Sequence, residues 1–84
     1  MIQQTSLQAY SEVKPTLGEK QLIVYNMLKD LGAANNMILA LKLGWSINRI
    51  TPRILELRKL GLVDYDSLRT CPITKRSTIF WRVR

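Results

Sequence analysis

Residues 43–61 read Leu-Gly-Trp-Ser-Ile-Asn-Arg-Ile-Thr-Pro-Arg-Ile-Leu-Glu-Leu-Arg-Lys-Leu-Gly, and this stretch decides the fold. Gly44 and Trp45 break one helix, and Ser46 stands where an N-cap begins the next. Ile47, Ile50, Ile54 and Leu57 then recur at helical spacing and define one buried stripe. Gly61 stops the helix after Leu60, so a helix is expected over 46–60. Pro52 is the local conflict, because it has no N–H and crowds the carbonyl of Asn48. Either the helix bends there, or a separate turn over 46–50 precedes a helix capped by Thr51. One helix with an irregular first turn is expected.

Upstream, Val24, Met27, Leu28 and Leu31 follow helical spacing from about Gly18, and Gly32 is a natural stop. Ala33-Ala34 has room only for a brief sheet contact. Asn35 is a good N-cap for a helix running to Leu43, with Leu39, Ala40 and Leu43 inward. Near the start, Thr5-Ser6-Leu7-Gln8 has the form of a capping box, and Leu7 and Tyr10 share a side of a short helix ended by Pro15. Downstream, 62–66 and 78–83 read as strands, with 67–77 as the loop between them. Trp81 alternates with Ile79 and Val83 and is expected to pack the hairpin onto the helices. The division is an N-terminal helical arm over 1–17 and a domain over 18–84.

Eighty-four residues make one domain, and a hydrophobic share of 46% suits a folded chain. No run approaches the roughly 20 apolar residues of a membrane span, and no secretory signal is expected in Met1–Thr5. With Cys71 as the single cysteine and no histidine, a disulfide and a structural zinc site are not expected, and a reducing cytoplasm fits. No nucleophile–base pair or carboxylate pair assembles, so no catalysis, cofactor, metal or small-molecule pocket is expected. The net charge of +7 is uneven: residues 1–41 carry three bases and three acids, residues 42–84 ten bases and three acids. Such asymmetry points to a polyanion, nucleic acid before membrane.

The order helix, short strand, helix, turn, helix, strand, loop, strand is that of a winged helix-turn-helix. Residues 43–53 resemble the recognition region of small bacterial and phage winged helix-turn-helix proteins. Leu57-Arg58-Lys59-Leu60-Gly61-Leu62-Val63 looks like the stretch joining recognition helix to wing in MarR-type regulators. Cys71-Pro72-Ile73-Thr74-Lys75-Arg76, followed by Phe80-Trp81-Arg82, is similar to the wing of that family. The resemblance covers residues 5–83. It implies an α+β, mainly α fold, with a three-helix core, a β-hairpin wing and a short extra N-terminal helix. It also implies a double-stranded DNA-binding protein of transcription regulation or a phage accessory role, in the cytoplasm of a bacterial or phage-infected cell.

On that expectation helix 46–60 enters the major groove, and the wing over 67–77 meets the backbone or minor groove. Asn48, Arg49 and Arg53 lie near the helix start, where side chains meet base edges; Arg suits guanine and Asn suits adenine. Ser46 and the first helical N–H groups suit a phosphate. Arg69, Lys75 and Arg76 are assigned to the wing loop and the DNA backbone. Met37, Ile38 and Leu41 are apolar beyond what the inner face of their helix needs, and Leu55 lies between faces. They make a candidate protein interface, for a homodimer or another partner. The alternative function is a winged-helix protein-interaction module without specific DNA binding.

Overall fold

The computed structural model describes residues 17–84. In chain order these form α1 (Glu19–Leu31), α2 (Asn36–Leu43), α3 (Ile47–Lys59), β1 (Val63–Thr70) and β2 (Ser77–Val83). The fold is α+β and mainly helical: three helices and one two-stranded antiparallel sheet. The N-terminal helix expected from the capping box at Thr5 lies outside the described residues. Leu17, from the end of the expected arm, packs against the core.

Each helix starts and stops on a chemical signal. The Gly18 N–H donates to Gln21 Oε1 at 2.9 Å and opens α1. Gly32 closes it, its N–H reaching the Leu28 carbonyl at 3.0 Å. Asn35 caps α2 by accepting the Ile38 N–H at 2.8 Å. Gly44, at φ 68°, takes the left-handed turn that ends α2. Ser46 does hold the N-cap position of α3, but its hydroxyl makes no capping bond. The first turn closes instead through the Arg49 N–H on the Ser46 carbonyl at 3.0 Å, a tight i to i+3 bond. Past that turn α3 runs through Pro52 as one helix, with Thr51 Oγ1 donating back to the Ile47 carbonyl.

The core takes Val24, Tyr25 and Leu28 from α1, Leu39 and Ala40 from α2, and Ile50, Ile54 and Leu57 from α3, closed by Ala34, Val63 and Trp81. Ile47, expected in the buried stripe, is 39% exposed, because α3 begins beyond the edge of this core. Ala34 and Trp81 form an isolated antiparallel bridge, with N···O distances of 3.1 and 2.8 Å, so the brief strand contact expected at Ala33-Ala34 is present.

The hairpin differs from expectation. Pairing runs from Val63↔Val83 to Thr70↔Ser77, with a bulge at Asp66 between Tyr65↔Trp81 and Ser67↔Phe80. The expected loop over 67–77 therefore shrinks to 71–76, and Arg69 belongs to β1 rather than to the loop. The physical reason lies in the turn. The Cys71 N–H bonds the Arg76 carbonyl at 2.7 Å, and the Lys75 N–H bonds the Cys71 carbonyl at 2.8 Å. Lys75 takes φ 63° to close it, a conformation in which a Cβ is crowded.

Asn35 is the single buried polar residue among the described residues; it caps α2, its Nδ2 donates to Thr78 Oγ1 of β2 at 2.8 Å, and its side chain also reaches Cys71. Asn35→Ala removes these bonds and leaves the part-buried Ile38 N–H and Thr78 hydroxyl without their partners. It is expected to cost about 2 kcal/mol or more, read as a lower urea midpoint. A loss below about 0.5 kcal/mol would show that the two bonds hold nothing together.

Candidate nucleic-acid interface

At 100° per residue, α3 presents three different surfaces outside its core stripe. Asn48, Pro52, Leu55 and Lys59 form the outer face and are all exposed. The flank beside α1 carries Arg49, Arg53 and Glu56. The flank beside the hairpin carries Ile47, Thr51 and Arg58.

The two flanks are tied down. Arg53 holds Glu56 bidentately, Nε to Oε1 at 2.8 Å and Nη2 to Oε2 at 3.1 Å, and Gln21 Nε2 of α1 donates to the same Oε1 at 2.8 Å. The Arg53 guanidinium first, and the Gln21 amide second, hold the Glu56 carboxyl below its usual range. Arg53, assigned above to base edges, is thus turned along its own helix toward α1. The Arg49 guanidinium lies over the Trp45 ring, 4.4 Å from its centroid. On the other flank Arg58 lies over Trp81 at 4.5 Å. On that same flank Asn36 links the hairpin to α3: its Oδ1 accepts the Trp81 indole N–H at 3.1 Å and its Nδ2 donates to Thr51 Oγ1 at 3.3 Å.

Of the residues assigned to DNA, Ser46, Asn48 and Arg49 lie together at the exposed start of α3. Lys75 and Arg76 lie at the exposed hairpin turn, and neither forms an ion pair among the described residues. Arg69 is occupied: it bonds Asp66 at 3.0 Å and Ser67 at 2.7 Å, and covers the Phe80 ring. Met37, Ile38 and Leu41 differ in their surroundings. Ile38 packs on the core and Met37 lines a cavity, leaving Leu41 exposed at 67%.

That cavity, of about 630 Å³, lies between the start of α2, the start of α3 and the hairpin turn. Met37, Ile47, Ile79 and Trp81 give it apolar walls, and Asn35, Asn36, Thr74, Arg76 and Thr78 supply polar edges. No small-molecule pocket was expected from so short a chain. The signal was faint: of the cavity's apolar walls only Met37 stood out as surplus, while Ile47 was assigned to the buried stripe of the third helix. Among the described residues, no three His, Cys, Asp or Glu side chains gather as a metal site, and no helix is long and apolar enough to cross a membrane.

Cys71 is fully enclosed, but by the hairpin turn rather than by the main core. The Thr74 backbone N–H, helped by the Asn35 and Thr74 side chains and the Ile73 N–H, outweighs desolvation and brings the thiol down to about 7. Because the folded pKa lies below the unfolded one, the stabilisation is complete above about pH 9 and is lost as pH falls through 7. Hairpin stability is therefore expected to rise between pH 7 and 9, and Cys71→Ala to flatten that rise. Urea unfolding across the range checks it; an equal slope in both proteins would remove the thiolate from the account. No protein-family model matches the chain, and no curated protein matches it in sequence.

Proposed function

We propose that the chain is a winged helix-turn-helix protein that binds double-stranded DNA and catalyses nothing. In this reading α2 and α3 are the helix-turn-helix, and the β1–β2 hairpin is the wing. The outer face of α3 enters the major groove, with Asn48 and Arg49 on base edges; the hairpin turn sets Lys75 and Arg76 on the backbone or minor groove. A cytoplasmic role in transcription regulation, or as a phage accessory factor, follows from the resemblance described above.

One observation carries the reading. All three acids of residues 42–84 are spent on ion pairs: Glu56 with Arg53, Asp66 with Arg69 and Asp64 with Arg84. Lys42, Arg49, Arg58, Lys59, Lys75, Arg76 and Arg82 remain without an acidic partner among the described residues. A surface so uncompensated attracts a polyanion. Lys75 adds weight: a left-handed position that glycine would fill without strain holds a cation at the tip of the hairpin.

The rival reading, a winged-helix protein-interaction module, is favoured by two exposed leucines, Leu41 and Leu55. Leu55 sits in the middle of the face assigned to the groove.

Binding of labelled duplex DNA at several salt concentrations separates the two. If about five phosphates are neutralised, log K against log[salt] falls with a slope of about −4 to −5. Lys75→Ala/Arg76→Ala is expected to reduce that slope by about 2 for all sequences alike. Asn48→Ala is expected to change which sequences are preferred, at about 1 to 3 kcal/mol per base contact. Arg53→Ala is expected to cost stability more than affinity, since its partner is Glu56. A slope near zero, or no binding at low salt, rules out the DNA reading.

A further inference from the structure

The outer edge of β1 has no strand beside it among the described residues: β2 lies on one side, and the bridge from Ala34 reaches β2, not β1. An open edge of eight residues is a template for another strand unless something blunts it. Here the feature that would usually do so, the bulge at Asp66, acts differently.

The phase of the ladder follows from its two ends. Arg84 N–H bonds the Leu62 carbonyl, and Cys71 N–H bonds the Arg76 carbonyl. Because inward and outward backbone groups alternate along an antiparallel strand, counting inward from each end assigns the outward ones. Val63 and Tyr65 turn their N–H and C=O away from β2 on one side of the bulge, and Leu68 and Thr70 do so on the other. The bulge shifts the count by one residue. Two copies of β1 can then pair antiparallel about a two-fold axis through the bulge, with both halves bonded. Slipping the register by one residue sets inward groups against outward ones and loses the bonds.

In that one register the side chains are complementary. Tyr65 stands opposite Leu68 of the second copy, and these are 55% and 61% exposed in the single chain. Both lie on the sheet face that carries Trp81 and Ile79, as their pairings show. On the opposite face Asp64 stands across from Arg69 of the second copy; within each chain these are paired with Arg84 and Asp66, so the contact joins existing ion pairs into one cluster, repeated by symmetry. Val63 meets Thr70. No like charges face each other.

We infer that the protein forms a two-fold homodimer by pairing β1 with β1 of a second copy, giving a continuous four-stranded sheet. The outer half of the hairpin gains most. A lone two-stranded ribbon is marginal in water, and added strands support it. The inference needs no DNA, and DNA binding by a strict monomer would leave the preceding section intact.

Sedimentation velocity of the full chain without DNA, over a wide concentration range, tests it. A concentration-dependent dimer is expected. Arg69→Asp places acid against Asp64 in both symmetry-related pairs, and Asp64→Arg places base against Arg69; each weakens the dimer by about tenfold or more. The double exchange Asp64→Arg/Arg69→Asp makes the pairs between copies opposite in charge again and recovers part of the affinity lost in either single change, the remainder going to the repulsion it sets up with Arg84 and Asp66 inside each chain. Leu68→Lys, at a site already exposed in the single chain, weakens the dimer without relying on the charge pair; circular dichroism confirms that each variant is folded. A monomer at every concentration overturns the inference. So does a dimer that ignores all three single changes, because its contact then lies elsewhere.

Discussion

The pairing of Ala34 with Trp81 is the constraint on which the rest of the molecule depends. It is the backbone link between the helical part and the hairpin, two hydrogen bonds at one residue pair. Fixing Trp81 there aims its indole into the core, its N–H at Asn36 and its face at Arg58. Asn36 in turn reaches Thr51 of α3. The residue before it, Asn35, caps α2 and bonds Thr78. Three adjacent residues, Ala34 to Asn36, thus set the hairpin, α2 and α3 at fixed positions. The cavity beside the hairpin turn is bounded by these same groups.

The helices were legible because their signals are local. Apolar spacing, Asn35, Gly32 and Gly44 state where each helix runs and ends, and no distant contact is needed to read them. Even Pro52 was legible, since an irregular first turn absorbs it. The hairpin was harder. Polar, hydroxyl-rich residues 67–70 look like loop, yet they pair because Cys71 closes a tight turn and drags the strands together up to it. Burial of Cys71 and a left-handed Lys75 are properties of the closed turn and have no sequence pattern of their own.

The candidate site was legible in composition and less so in geometry. The basic excess falls in the half of the chain that forms α3 and the hairpin, as counted. What the sequence could not say is which bases are occupied. Arg53 and Arg69 looked as available as Arg49 and Lys75, but each has an acid three residues away on its own element, Glu56 after one and Asp66 before the other. On a helix that spacing places two side chains side by side; on β1 the bulge does the same for Asp66. Likewise Met37, Ile38 and Leu41 look alike in the sequence, but Ile38 packs on the core, Met37 lines the cavity and Leu41 is exposed.

The position of Trp81 in the core bears on how the protein comes apart. A three-helix cluster that lacked this ring and Val63 would be open on one side, so the helices do not make a separable folding unit. Helix and hairpin are therefore expected to melt as one cooperative structure near the bridge, where amide hydrogens should be the slowest to exchange. Beyond the bulge at Asp66 the ribbon is held to the helices by the Asn35–Thr78 bond rather than by backbone pairing, so its amides are expected to exchange by smaller, local openings.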